Sequence, residues 1–172
     1  VNLGYKYSPQ DFIAAAKAGN VQAVNIFLRT RAPTETQDEQ GWTPLTHAAA
    51  CGHELIANNL LRCHAQIEHA DSTGYRPLHW AAFHGHHNLV TLLLEHHADP
   101  NASSRLGWTP LTQAAAQGHT LAANILLDAG ANINWISNDH WTPLHKASAN
   151  GHTDMVKLLL ERGADWTKPR HN

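Results

Sequence analysis

Gly41-Trp42-Thr43-Pro44-Leu45 begins a 33-residue pattern that occurs four times in this chain of 172 residues. The other copies begin at Gly74-Tyr75-Arg76-Pro77-Leu78, Gly107-Trp108-Thr109-Pro110-Leu111 and His140-Trp141-Thr142-Pro143-Leu144. Each copy continues with a pair of small residues, a Gly-His step and a pair of leucines at the same spacing. A fixed period of this length indicates a solenoid, in which each unit packs on its neighbours in sequence.

Each repeat carries the signals of two short helices. Thr43, Thr109 and Thr142 are predicted N-caps, and the proline after each occupies the first helical position, where its missing N–H costs nothing. The alanine pairs allow close packing of this inner helix, and Gly52 and its equivalents supply the left-handed conformation that ends it. Apolar residues then recur at helical spacing, as in Leu89, Leu92 and Leu93, which predicts an outer helix.

The pattern extends towards the amino terminus as a fifth, degenerate unit. Counting back 33 residues from Gly41 reaches Ser8, and Phe12 and Phe27 then fall in the expected apolar columns. The segment from Ser8 to Asp11 has the form of a helix capping box. We therefore predict a single domain over 1–172, with an N-terminal cap at about 8–40, internal repeats at 41–73, 74–106 and 107–139, and a C-terminal cap at 140–172.

These motifs resemble those of the ankyrin-repeat family in length, in the Thr-Pro-Leu-His, Ala-Ala and Gly-His steps, and in the leucine pairs. The resemblance implies an all-α solenoid of stacked helix–turn–helix units joined by β-hairpin-like loops. It also implies a monomeric module that binds a protein or peptide on its concave face. Departures from the family pattern are Arg76 in place of a capping Thr, Thr46 and Thr112 in place of His, and His64 and His97 in place of Gly.

The second position of each full repeat is aromatic, and the resemblance places this position on the partner-facing side. Trp and Tyr are enriched among binding hot spots, although the same rings could be hairpin-packing residues inherited by duplication. Tyr75, Trp80 and Phe83 make the third repeat the expected centre. The candidate partner-binding residues are Trp42, His47, Tyr75, Trp80, Phe83, His84, Arg105, Trp108, Gln113, Trp141 and Lys146.

Composition excludes several other classes of function. Lys and Arg number 12 against 14 Asp and Glu, a net charge of −2, which argues against nucleic-acid binding through a basic face. No apolar run approaches the length of a membrane span. Two cysteines are too few for a disulfide scaffold and favour an intracellular location, cytoplasmic or nuclear. No catalytic motif is present, so we expect neither enzymatic activity nor a cofactor.

Fifteen histidines invite a metal hypothesis. His53, His86, His119 and His152 share one column, but stacked repeats separate equivalent positions by about 8–10 Å, too far to share a zinc ion. We therefore expect no metal site. We expect a response to pH instead, since the ordinary pKa of histidine is near 6.5.

The main alternative to a protein-binding module is a reader of a small ligand or a modified peptide, such as methyl-lysine, that uses the aromatic cluster of the third repeat. Leu78-His79-Trp80-Ala81-Ala82-Phe83 is similar to a segment in ankyrin domains of histone methyltransferases that read this modification through an aromatic cage. The cage would correspond here to Trp42, His47, Ala50 and Trp80. Position 47 is a histidine in place of Trp, Tyr or Phe, and position 50 lacks an acid, so the cage has lost two groups that a bound cation would need. Separately, Asn101 and Asn134 match the asparagine that intracellular hydroxylases modify in ankyrin loops.

Overall fold

The computed structural model describes residues 8–167, which form five successive helix pairs with no β-strand in that range. The predicted domain limits at 1–7 and 168–172 lie outside the described residues. The first helix of each pair is called the inner helix and the second the outer helix. The pairs are α1 (Pro9–Ala18) and α2 (Val21–Arg29), α3 (Pro44–Cys51) and α4 (Glu54–Arg62), α5 (Pro77–Phe83) and α6 (His87–Glu95), α7 (Pro110–Gln117) and α8 (Thr120–Asp128), and α9 (Pro143–Ala149) and α10 (Thr153–Glu161).

Inner helices stack on inner helices and outer helices on outer helices, so the chain forms a single continuous solenoid. The alanine pairs at 48–49, 81–82 and 114–115 in the inner helices are completely buried, which lets neighbouring backbones approach closely. The leucines predicted for the outer helices fill the space between the two layers, and Leu93 is 0% exposed. The all-α repeat solenoid expected from the sequence is confirmed.

The helix ends follow the predicted capping chemistry. Ser8 Oγ accepts from the Asp11 N–H at 3.2 Å, while Asp11 Oδ2 accepts from the Ser8 N–H at 2.9 Å, which completes the capping box. Thr43 and Thr109 accept from the backbone N–H three residues later. Thr46 and Thr112, which depart from the family histidine, place their hydroxyls 3.1 and 3.0 Å from those of the capping threonines. The substitution therefore preserves a satisfied cap.

Two residues that replace an expected glycine still adopt the left-handed backbone conformation. Gly52 has φ of 81°, as expected at the end of an inner helix. His64 and His97, which replace the glycine after an outer helix, keep the same conformation with φ of 64° and 68°. A non-glycine residue there carries strain of about 1–2 kcal/mol, so tertiary packing imposes the shape at these two positions.

Each inner helix after the first is preceded by a tight hairpin held by one side chain. The carboxylates of Asp38 and Asp71 accept from the N–H of Trp42 and Tyr75 at 2.9 and 3.0 Å. Neighbouring hairpins are joined by backbone bonds such as Ser72 N–H to Gln40 O at 3.0 Å. The result places the second-position aromatic residue beside the inner helix in every full repeat. The corresponding acceptors in the later repeats are Ser104 and Ser137.

Arg76, which stands where other repeats have a capping threonine, forms an ion pair. This ion pair changes the effect on stability that we expect from replacing Arg76 by Thr. Its Nε lies 3.0 Å from Glu68 Oε2, while Glu68 Oε1 accepts from the Asp99 N–H at 2.8 Å. The cap itself is half complete, because the Arg76 N–H donates to His79 Nδ1 at 3.1 Å. Replacing Arg76 by Thr alone would therefore exchange an ion pair for a cap.

We expect Arg76→Thr to stabilise the protein by about 0.5–2 kcal/mol when it is made in a Glu68→Gln background. The amide introduced at position 68 keeps an acceptor for the Asp99 N–H but removes the ion pair. The threonine introduced at position 76 would recreate the Thr142–His145 arrangement of the last repeat. Urea denaturation of the single and double variants measures the difference. A denaturation midpoint that does not rise in this background would show that the missing cap is of no consequence.

Candidate functional site

The second-position aromatics and Trp80 lie along the inner-helix side of the solenoid, and we call this set the aromatic stripe: Trp42, Tyr75, Trp80, Trp108 and Trp141. All five side chains are partly buried. Trp80 lies between rings of two repeats, with centroids 4.5 Å from Trp42 and 5.4 Å from Tyr75. The rings of Trp42, Tyr75 and Trp80 therefore pack partly against one another.

The third repeat has the densest set of rings, as the sequence predicts. Phe83 meets Trp80 edge to face at 5.9 Å and His84 at 4.9 Å, and His84 also stacks on Trp80 at 6.3 Å. His84 is exposed and Phe83 is partly exposed. This repeat therefore offers both apolar area and a polar edge at the surface.

Carboxylates lie behind the rings at the amino-terminal end of the stripe. Asp71 is only 5% exposed, and its Oδ2 accepts from Trp80 Nε1 at 2.9 Å. Asp38 Oδ2 lies 2.8 Å from His47 Nε2. Burial raises the pKa of Asp38, but hydrogen bonds from the Trp42 backbone and the His47 ring outweigh it and hold that pKa below its ordinary value. Both acids orient side chains of the inner helices.

Two of the predicted partner-binding residues are supports and not surface groups. His47 is 5% exposed and Gln113 is 3% exposed. His47 packs against Trp42 at 4.9 Å, and Gln113 lies against the hydroxyl of Tyr75. Arg105, by contrast, is exposed at a hairpin tip, where its backbone N–H donates to Thr73 O at 3.1 Å.

Lys146 joins the two tryptophans at the carboxyl-terminal end of the stripe. Its Nζ lies 3.9 Å from the ring centroid of Trp108 and 4.5 Å from that of Trp141. The same ammonium donates to Asp139 Oδ2 at 3.1 Å. These distances fall well within the range of cation–π attraction.

The column histidines act as links between repeats. The Nε2 atoms of His53, His86 and His152 donate to inner-helix carbonyls of the preceding repeat, those of Lys17, Ala50 and Ala116, at 3.0, 3.0 and 2.9 Å. Burial, reinforced by the neighbouring histidines, lowers the pKa of His84 and of His119. Within residues 8–167 no three His, Cys, Asp or Glu side chains converge as a metal site would require.

Three of the residues that correspond to a methyl-lysine cage contact one another or a neighbouring carboxylate. The rings of Trp42 and Trp80 are in direct contact, and His47 is bound to Asp38. The Trp42 and Trp80 ring planes are tilted by 49°, and positions 47 and 50 supply neither the further Trp, Tyr or Phe ring nor the acid that such a cage would need.

A cleft of about 850 Å³ opens beside Trp42 at the amino-terminal end of the stripe. One wall comes from α1 and the other from the hairpin before α3. The cleft mixes an aromatic face with polar and charged groups of both signs. Its lining residues are Gln10, Lys17, Gln37, Asp38, Glu39, Gln40, Trp42, His47 and Cys51.

The chain matches the family profile described as ankyrin repeats (3 copies) over residues 12–104 and again over 97–170. The chain belongs to the ankyrin-repeat family. Ankyrin repeats are generally protein–protein interaction modules, and the family is typically non-enzymatic. No curated protein matched the chain. In the part of the ankyrin-repeat chain that the structure describes, no helix is both long enough and apolar enough to cross a membrane.

Sequence reasoning did not identify the side chains that orient the aromatic stripe. Asp38 and Asp71 occupy equivalent positions 33 residues apart, and that shared column was the available signal. Asp139 has no such signal, because the equivalent residues are Gln40, Thr73 and Leu106. Trp135 is a further case, since its Nε1 donates to Gly107 O at 2.8 Å and holds the hairpin beneath Trp108.

Proposed function

We propose that this chain is a non-catalytic interaction module that binds a protein or peptide partner on its concave face, through its hairpin tips and inner helices. The aromatic stripe carries the proposal. It offers partly exposed Trp and Tyr rings in a row across four repeats, and these residue types dominate the binding energy of protein interfaces. The cleft beside Trp42 gives the partner room at one end of the stripe.

The observed contacts favour a protein partner over a reader of methyl-lysine at the residues mapped from the histone methyltransferases. At those residues the Trp42 and Trp80 rings contact each other, and positions 47 and 50 lack the further Trp, Tyr or Phe ring and the acid of such a cage. A surface of mixed charge, on a chain with a net charge of −2, also supports a protein partner over nucleic acid. The exposed free thiols of Cys51 and Cys63 support an intracellular location, cytoplasmic or nuclear, and we propose that the module acts as a monomer.

We expect Tyr75→Ala, Trp80→Ala and Trp108→Ala each to weaken partner binding by more than about 1 kcal/mol, or at least about fivefold in Kd, with Trp80→Ala the most severe. Trp80 contacts rings of two repeats, so its removal exposes the centre of the stripe. The partner is first isolated by affinity capture on the wild-type chain. Calorimetry of the purified pair then gives Kd for each variant.

Two controls separate binding from folding. Leu121 is 63% exposed on the outer helix α8, so Leu121→Ala should leave Kd unchanged. Leu93→Ala, in the core, should lose about 2–5 kcal/mol of folding stability and mark the effect of a cavity. If Trp80→Ala fails to fold, Trp80→Phe, which retains a ring, is tested in its place. If folded stripe variants bind normally, the rings are packing residues and the interface lies elsewhere.

A further inference from the structure

Lys146 occupies a site built like a receptor for a cation. Two tryptophan rings lie within 4.5 Å of its ammonium, and the Asp139 carboxylate accepts a hydrogen bond from it at 3.1 Å. The Lys146 side chain is only 13% exposed, so these three groups replace most of its water. Two π faces and one carboxylate together match the chemistry that binds ammonium and guanidinium groups.

The arrangement is specific to the last repeat. The residues equivalent to Lys146 are His47, Trp80 and Gln113, so only here does an obligate cation enter the stripe. The residues equivalent to Asp139 carry no charge. The carboxylate is in turn fixed by the Ser137 hydroxyl, which donates to Asp139 Oδ1. Acid, cation and the paired tryptophans therefore occur together at one place in the solenoid.

The Lys146 ammonium can leave the site without a change in the backbone. Lys146 reaches the rings through a flexible four-carbon side chain, and rotation of that chain moves the ammonium without moving the backbone of α9. The Asp139 side chain is 46% exposed, which leaves the site open to solvent from the hairpin side. An incoming cation would restore each contact that Lys146 gives up.

We propose that Trp108, Trp141 and Asp139 form a binding site for one cationic side chain of the partner, which Lys146 keeps occupied in the free protein. The proposal rests on the proposed function and names the chemistry of the partner: a lysine or arginine side chain presented to the carboxyl-terminal end of the stripe. Lys146 acts as an internal competitor. It sets a threshold against weakly binding cations and keeps the partly exposed faces of the two tryptophans from binding unspecifically.

The test uses small cations in place of the partner. Tetramethylammonium, butylammonium and guanidinium chlorides are titrated against the full chain while tryptophan fluorescence is recorded, with sodium chloride matching the ionic strength and tert-butanol as a neutral control. Lys146→Ala empties the site, whereas Lys146→Met fills it with a neutral chain of similar length. We expect Lys146→Ala to bind at least one of the three cations about tenfold more tightly than the wild type or Lys146→Met does.

Second variants assign the binding to this site. Asp139→Asn or Trp108→Ala, each added to Lys146→Ala, should return the affinity to the wild-type level, and circular dichroism checks that each protein is folded. Equal cation binding by the wild type and Lys146→Ala, or binding that survives both added changes, would overturn the proposal. The titration needs no partner, so its failure leaves the proposed function standing. Loss of the proposed function would appear instead as normal partner binding by the stripe variants.

Discussion

Gly118→Ala should lower the free energy of unfolding by about 2–3 kcal/mol more than Gly151→Ala does. The two glycines occupy equivalent positions with φ of 76° and 74°, so the strain of a left-handed alanine is the same at both. They differ in what a Cβ would meet. At position 118 it would lie 2.7 Å from His152 Nδ1, whereas at position 151 none of the described residues lies within 4 Å.

The added cost at position 118 comes from the histidine of the next repeat. The His152 ring must move, and it then loses the hydrogen bond from its Nε2 to Ala116 O, now 2.9 Å long. An overpacked contact costs about 1–3 kcal/mol, and the lost hydrogen bond adds about 0.5–1.5 kcal/mol, because Ala116 O keeps its bond from Asn150 Nδ2 at 2.7 Å. The ring can relieve part of the first cost by moving, which keeps the sum near about 2–3 kcal/mol.

Guanidinium denaturation of both glycine variants measures this difference directly. Gly151→Ala serves as the matched control, because it reports the backbone strain alone. The double variant Gly118→Ala/His152→Ala should recover part of the lost stability, since the clash is then absent. Equal destabilisation by the two glycine variants would mean that the Gly-His step ends helices and does not join repeats.

The free energy of unfolding should fall by about 3 kcal/mol as the pH drops from about 7 to about 4, because His79 is buried in its neutral form. Burial lowers the pKa of His79 to about 4, from an ordinary value of 6.5. Its ring is 1% exposed and uses both nitrogens, because Nδ1 accepts from the Arg76 N–H and Nε2 donates to Trp108 O at 2.9 Å. Only the neutral ring can do both.

The sign follows from which state binds the proton. Between pH 6.5 and about 4 the unfolded chain carries a protonated His79 and the folded chain does not, so unfolding becomes more favourable as the pH falls. Each unit of pKa difference is worth about 1.36 kcal/mol, which gives about 3 kcal/mol in total. The full stability is present above pH 6.5.

Comparison with a variant isolates His79 from the other histidines. Arg76→Thr/His79→Thr rebuilds the Thr43–Thr46 cap of the second repeat, and the other titrating histidines are common to both proteins. The stability of the wild type relative to this variant should fall by about 3 kcal/mol between about pH 7 and about pH 4. Urea denaturation at a series of pH values measures it. A difference that stays constant with pH would show that His79 titrates normally in the folded chain.

The sequence by itself determined the period, the helices and their ends. Thr43, Pro44 and Gly52 act through local geometry within a few residues, and a 33-residue repetition of such signals suffices to predict the solenoid. The same local logic predicted the concentration of rings in the third repeat, because Trp80 and Phe83 share one face of a short helix.

Only the tertiary structure decided what each column residue touches in the next repeat. Gly118 meets His152 from the following repeat, Arg76 pairs with Glu68, and Lys146 enters between Trp108 and Trp141. A column states which residues lie one above another, but not the rotamer that carries a side chain sideways onto a neighbouring ring. The rotamer depends on side-chain packing and on which charged groups lie close enough to form an ion pair. For this reason the family resemblance only listed Lys146 among the expected partner-facing residues, whereas the structure shows the two rings and the carboxylate that hold it.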